Sequence, residues 1–199
     1  MLGRTLIIFC AAVLFISCEE QIDYYNLATF TDNNKLNAVI EIPAGTNKKF
    51  EYNKETKSFE IDKKNGKDRI IAFLPYLGNY GFIPSTFSDP KTGGDGDALD
   101  VLILSESVKT GTVMETIPIA MLKLIDDGEI DYKIIAIPSL KEDQIINADT
   151  YKTFVTDFPE IKTIIETWFL NYNKSDEAQI EGWGNEKEAM EEINKNKSH

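Results

Sequence analysis

The segment Asp95-Gly96-Asp97-Ala98-Leu99-Asp100-Val101 sets three aspartates within six residues, directly ahead of the apolar run Val101 to Leu104. Carboxylates held this close raise one another's pKa unless a cation lies between them. Hard oxygen donors without Cys or His suit Mg²⁺, Mn²⁺ or Ca²⁺. An EF-hand reading fails: Asp95, Asp97 and even Glu106 fall at the right loop positions, but Leu99 and Asp100 occupy the fifth and sixth. Taken alone, the loop also reads as an acidic surface turn or a structural Ca²⁺ loop. A second acidic stretch, Asp126-Asp127-Gly128-Glu129-Ile130-Asp131-Tyr132-Lys133, lies between two strand patterns. Alone it is a solvated hairpin. Together the two clusters could converge on one cleft, with Lys133 facing a substrate oxygen. A third element, Pro75 to Pro84, packs Tyr76, Tyr80, two glycines and two prolines into ten residues, which predicts a rigid turn. A tyrosine hydroxyl there is a single donor for a phosphate or a bound water.

The chain has one histidine, His199, at its end. That removes Ser-His-Asp and Cys-His catalysis and His-ligated zinc. Chemistry must then rest on carboxylates, Lys, Arg, Tyr and metal. The net charge of −12 argues against nucleic acid as a partner. It leaves room for a small polyanion, because local lysines and bound cations reverse the sign inside a cleft.

The elements that must position these groups are mostly short strands. In a chain of 199 residues, 42% hydrophobic and 11% aromatic, one domain with a real core is expected. Strand patterns run through Ala38 to Ile42, Phe50 with Tyr52, Phe59 with Ile61, Arg69 to Phe73, Val101 to Leu104, Ile117 to Leu124 and Ile134 to Ile137. Asn65-Gly66 predicts a hairpin turn. Asp157-Phe158-Pro159-Glu160 reads as a capping box opening a helix with Ile161, Ile164, Ile165, Trp168, Phe169 and Tyr172 on one face. Asn185 with Glu188 predicts a second cap, before Ala189, Met190 and Ile193. The fold class is therefore α+β, mainly β: a small closed barrel with C-terminal helices packed on it.

The first residues read as a targeting segment. Arg4 precedes the apolar run Leu6 to Ile16, and Ser17-Cys18 follows. The run is short for a membrane span. A small residue and then cysteine resembles the bacterial lipoprotein signal, with Cys18 as the lipidated residue. An ordinary cleaved signal or a short anchor is the alternative. The expected division is 1–17 signal, 18–31 polar tether and 32–199 catalytic domain. The protein would be exported and lipid-anchored to a bacterial membrane, on its periplasmic or cell-surface side.

Tyr76 to Pro84 followed by Asp95 to Val101 resembles the family I soluble inorganic pyrophosphatases. Ile40-Glu41-Ile42-Pro43-Ala44, Asp126 to Pro138 and Glu181-Gly182-Trp183 match that family's early strand, second acidic hairpin and late turn. The resemblance covers about residues 36 to 195. It implies a five-stranded, OB-like β-barrel and hydrolysis of pyrophosphate to two phosphates with several Mg²⁺ ions, Mn²⁺ being the alternative. It further implies that Asp95, Asp97 and Asp100 hold the metals that bind the attacking water, with Asp97 as general base. By the same resemblance Asp126, Asp131, Glu41 and Glu51 join the metal site, and Lys49, Arg69, Lys133, Tyr76, Tyr80 and Tyr172 contact substrate or assist catalysis. Lys63 rivals Arg69 for one phosphate contact. A homo-oligomer is expected. The chain departs from the family pattern at Ala98, where proline is usual, and at Asn173, where a phosphate-binding lysine is usual. Lys174, one residue later, is the candidate substitute.

Overall fold

Five strands close into a ring in the computed structural model, which describes residues 21–175 and 177–198. In chain order the strands are β1 (Leu36–Ile42), β2 (Phe50–Asn53), β3 (Ser58–Ile61), β4 (Lys63–Lys64), β5 (Lys67–Asp68), β6 (Asn79–Phe82), β7 (Asp100–Ile103), β8 (Val113–Asp126), β9 (Glu129–Ile130), β10 (Lys133–Pro138) and β11 (Ala178–Asn185). The helices are α1 (Tyr151–Asp157), α2 (Pro159–Phe169) and α3 (Glu186–Asn196). Strand order around the ring is β1-β6-β7-β10-β8, and β8 pairs back to β1. All ring pairings are antiparallel except β7 with β10. Strand β8 can serve four neighbours because it is long: its start pairs with β1, its middle with β10 and its end with β11 and the short β9. This is the expected OB-like barrel with helices at the C-terminal end.

The core explains the apolar runs. Every residue of β10 is buried. Ile135 and Ile137 pack in one cluster with Phe154, Ile165 and Trp168 of α1 and α2, while Ile134 and Ala136 pack in another with Ala189 and Ile193 of α3. Alternate residues of one strand thus serve two sides of the barrel. Helix α3 opens on the predicted capping box: Asn185 accepts from the Glu188 N–H while the Glu188 carboxylate accepts from the Asn185 N–H. Asn65-Gly66 turns the β4–β5 hairpin as expected, with φ of 55° and 74°.

Four expectations are corrected. The Tyr76–Pro84 stretch is more than a turn, because it contains β6, a ring strand buried at all four positions. Its pattern is masked by Gly81, where a Cβ would lie 1.9 Å from the Val39 carbonyl oxygen, so only glycine lets β6 approach β1. Arg69 to Phe73 is not a returning strand. The Arg69 carbonyl accepts from the Lys49 N–H and the Ile71 N–H reaches Asn47, after which the chain bends with Phe73 and Leu74 exposed. Asp157 is not an N-cap but the last residue of α1, which the sequence reading missed and which Thr150 caps. Helix α2 starts on Pro159 without a side-chain cap, Ile164 faces solvent, and Tyr172 lies past its end. Glu181-Gly182-Trp183 is a bulge inside β11, not a turn.

The proposed signal segment and Cys18 lie outside the described residues. Residues 22–30, expected as part of a polar tether, pack on the barrel: Tyr24, Tyr25 and Leu27 cover Val39, Tyr52, Phe82 and Ala98. They carry enough aromatic surface to be held there.

Candidate active site

A cleft of about 300 Å³ opens at one end of the barrel. It is lined by Glu41, Lys49, Glu51, Arg69, Tyr76, Tyr80, Asp95, Asp97, Asp100, Asp126, Asp131, Lys133 and Tyr172. All these sequence-predicted residues meet there although they span over a hundred residues of chain. Lys174, the candidate substitute for the lysine usual at position 173, is exposed in the turn after α2 and does not line the cleft. Lys63 also stays outside, so Arg69 alone of that pair reaches the site.

Strand register does most of the positioning. Parallel pairing of β7 with β10 sets Asp100 beside Lys133, the first residues of their strands. Lys133, 2% exposed as a residue, donates from its ammonium to both Asp100 and Asp131. Burial works against its charge, but Asp100 and Asp131 outweigh burial and hold its pKa above the usual lysine range. Tyr80 on β6 donates to Asp100 Oδ2 at 2.6 Å. Burial, then the Asp100 charge, pushes the Tyr80 hydroxyl well up. Burial likewise raises Tyr76, and raises Tyr172 to about 12. All three therefore remain neutral donors at neutral pH.

The Asp95–Asp100 loop is pinned by backbone bonds, from Ser88 N to Asp97 O at 2.7 Å and from Gly96 N to Ser88 O at 2.9 Å. The Thr86 hydroxyl accepts from Leu99 N and donates to Ile83 O. These bonds and the burial of Ala98 against Val39, Tyr52 and Phe82 supply the rigidity that a proline at position 98 would otherwise give. Buried Asn79 ties the loops behind the site, accepting from Ala44 N and Val108 N and donating to Ser105 Oγ and Glu106 O.

Sequence reasoning missed several contributors. Asp62 orients Arg69 at 2.6 Å and lies 3.9 Å from Lys49, which itself pairs with Glu51 at 2.6 Å. Trp168, read only as core, stacks on Tyr172 with centroids 4.7 Å apart and donates to Leu74 O and Pro75 O, fixing the Tyr76 loop. Tyr25 and Lys54 also line the cleft. The signals available were adjacency of Asp62 to a strand end and an aromatic next to a site tyrosine on the helix face. Nothing marked Tyr25.

Seven carboxylates line this cleft. Glu41 on β1 accepts from Tyr52 N at 2.7 Å, yet burial, with the Asp100 and Glu51 charges behind it, lifts its carboxyl to about 8. Burial lifts Asp95 to about 6. Among the described residues no three acidic side chains close on a common point as they stand, and Lys133 fills the space between Asp100 and Asp131. The donor set itself, all hard oxygen and carrying repulsion that a divalent cation would relieve, fits Mg²⁺.

Burial of these carboxylates, with their mutual repulsion behind it, predicts a pH effect on the metal-free chain. Folded Glu41 and Asp95 titrate above their unfolded values, so the folded state binds more protons between about pH 4.5 and 8. Stability is full below that window and falls as pH rises through it. The carboxylates with lowered pKa, Asp23, Glu60, Glu166 and Glu188, are already ionised there and do not oppose the trend. Thermal unfolding in EDTA should show a lower Tm at pH 8 than at pH 5.5, and added Mg²⁺ should flatten the slope. A flat profile in EDTA would refute the raised pKa values of Glu41 and Asp95.

Clustered carboxylates, four basic side chains and buried neutral tyrosines on an OB-like barrel define a hydrolase that handles phosphate. The profile of the inorganic pyrophosphatase family matches residues 38–199. The inorganic pyrophosphatase of Neisseria meningitidis serogroup B is 38% identical over 168 residues, 81% of this chain and 86% of that one. That of Saccharolobus solfataricus is 37% identical over 81% of this chain and 90% of its own length. Among solved structures, the Neisseria gonorrhoeae inorganic pyrophosphatase superposes with a TM-score of 0.69 at 32% identity, covering 83% of this chain and 90% of that one. The chain belongs to the inorganic pyrophosphatase family and is an enzyme, a hydrolase acting on a phosphoanhydride.

Proposed function

We propose that this chain hydrolyses inorganic pyrophosphate to two phosphates, with several Mg²⁺ ions and with Asp97 as general base. The observation that carries the reading is the meeting of seven carboxylates with Lys49, Arg69 and Lys133 in one cleft. A pyrophosphatase similar in fold, the Trypanosoma cruzi vacuolar soluble enzyme at 25% identity, was solved in complex with PPi. Asp95, Asp97, Asp100, Asp126, Asp131, Glu41 and Glu51 would hold the cations, whose chemistry is to acidify water and neutralise phosphate charge. Asp97, at the open end, accepts the proton of the attacking water. One P–O bond forms to that water as the bridging P–O bond breaks, and the bridging oxygen leaves on the second phosphate. Lys49, Arg69 and Lys133 stabilise charge on that leaving group, and the neutral Tyr76, Tyr80 and Tyr172 donate hydrogen bonds. No covalent nucleophile is needed.

The same reading makes the protein an exported lipoprotein anchored at Cys18, with the catalytic domain outside the cytoplasm, and expects a homo-oligomer. The apolar run before Ser17-Cys18 supports the anchor. Among the described residues no helix is long and apolar enough to cross a membrane.

The test is phosphate release from pyrophosphate by the full chain in detergent, with Mg²⁺ or EDTA, beside tripolyphosphate and nucleoside triphosphates. Release from pyrophosphate that needs Mg²⁺ is expected. Binding of Mg-pyrophosphate without release would favour a phosphate-binding lipoprotein, a reading that Asn173 motivates. Preferred turnover of the longer substrates would make it a broader phosphohydrolase.

A further inference from the structure

The cleft's cations differ in how firmly they are already committed. Lys133 lies between Asp100 and Asp131, Arg69 bonds Asp62 at 2.6 Å, and Lys49 bonds Glu51 at 2.6 Å. Lys54 pairs at 3.3 Å with Asp97, whose side chain is 73% exposed. Its ammonium also sits 3.8 Å from the centroid of the Tyr25 ring. Tyr25 is brought there by residues 21–30, an arm upstream of the stretch that the family profile matches.

The arm is pinned along its length. Gln21 Nε2 donates to Thr56 O and Lys57 O at 2.8 and 3.0 Å, and Asp23 pairs with Lys57 at 3.3 Å. The Tyr52 hydroxyl donates to Ile22 O at 3.1 Å, and Ser85 N donates to Tyr25 O at 2.8 Å. Thr29 Oγ1, buried, donates to Pro84 O at 3.0 Å. The arm thus clips the β2–β3 turn, which carries Lys54, to the segment that follows β6. Tyr25 itself leans on Phe82 with centroids 5.3 Å apart.

We propose that Lys54 is a further substrate-phosphate contact at the Asp97 end of the cleft, and that Tyr25 is the residue that positions it. The inference rests on the reading that Asp97 serves the cations and the attacking water. Once a cation engages Asp97, Lys54 loses its counter-ion. An unsupported lysine at that exposed edge would turn to solvent, whereas the Tyr25 ring face retains the ammonium over the cleft by cation–π attraction. A phosphate oxygen arriving there meets a charged donor already in place. The N-terminal arm, expected from sequence as a tether, thereby completes the active site.

The test uses the full chain in detergent with Mg²⁺ and follows calorimetric binding of methylenediphosphonate, which cannot be hydrolysed, beside KM and kcat for pyrophosphate. Lys54→Met should weaken analogue binding and raise KM by roughly tenfold, the scale of one hydrogen bond to a charged group. Tyr25→Ala should move the same constants by about threefold, the scale of an exposed cation–π contact. Tyr25→Phe, which keeps the ring, should recover the affinity. Because Tyr25 acts through Lys54, the double variant should bind no more weakly than Lys54→Met alone. Losses that multiply in the double variant, or a Tyr25→Ala chain that melts lower yet binds the analogue normally, would overturn the proposal. A wild-type chain that neither binds the analogue nor releases phosphate would overturn the pyrophosphatase reading first and this one with it.

Discussion

Asp97→Asn lowers kcat for Mg-pyrophosphate by roughly 10²- to 10³-fold, the scale seen when one preorganised charge-stabilising group is lost, and leaves the fold intact. The Asp97 side chain is 73% exposed and its ion pair is with Lys54 at the cleft edge, so folding gains little from its charge. Its backbone N–H donates to Asp95 Oδ1 and its carbonyl accepts from Ser88 N, and both bonds survive the substitution. What the amide cannot do is accept a proton from water. Initial rates of phosphate release and a thermal melt separate the two effects. Equal rates with an unchanged Tm would remove Asp97 from the role of base. A fall in Tm comparable to that of a core variant would show that the loop depends on its charge.

Lys133→Met unfolds more easily by about 3–5 kcal/mol in EDTA, the cost of breaking a buried ion pair from one side. Lys133 is 2% exposed and lies between two aspartates. Without it Asp100 and Asp131 face each other across a poorly solvated space, with the Tyr80 hydroxyl still donating to Asp100. Chemical unfolding gives the midpoint. Adding Asp131→Asn to the Lys133→Met chain should recover much of the loss, because one of the two opposed charges is gone. Mg²⁺ should also raise the midpoint of the single variant, since a cation can take the vacated position. Neither rescue should return activity, because the ammonium donor to the leaving phosphate is still missing. An unchanged midpoint for Lys133→Met in EDTA would show that the lysine is not what balances this pair.

Much of the site was legible because its chemistry is local in the chain. Asp95, Asp97 and Asp100 are close in sequence, as are Asp126, Asp131 and Lys133, and both groups adjoin apolar strands. The barrel was legible for the same reason: β1, β7, β8 and β10 are apolar runs that any core would claim. What failed was the reading of elements whose residues are chosen by a neighbour. Strand β6 carries Asn79, Tyr80 and Gly81 because it must tie loops, donate to Asp100 and pass close to Val39, so its composition resembles a turn. Arg69 to Phe73 has a strand's composition but only a brief backbone partner at residues 47–49. The propensity was real, and the pairing it needs was absent.

By itself the sequence determined the inventory: hard oxygen ligands, lysine, arginine and tyrosine for a polyanion, no usable histidine, and strands enough for one barrel. The tertiary structure decided the pairings. The parallel register of β7 with β10 put Lys133 against Asp100, ring closure through β1 and β8 brought Glu41 to the same cleft, and the N-terminal arm carried Tyr25 to Lys54. Side-chain type is a property of one position. Electrostatic partnership falls off within a few ångströms, so it belongs only to the folded chain, which alone sets those distances.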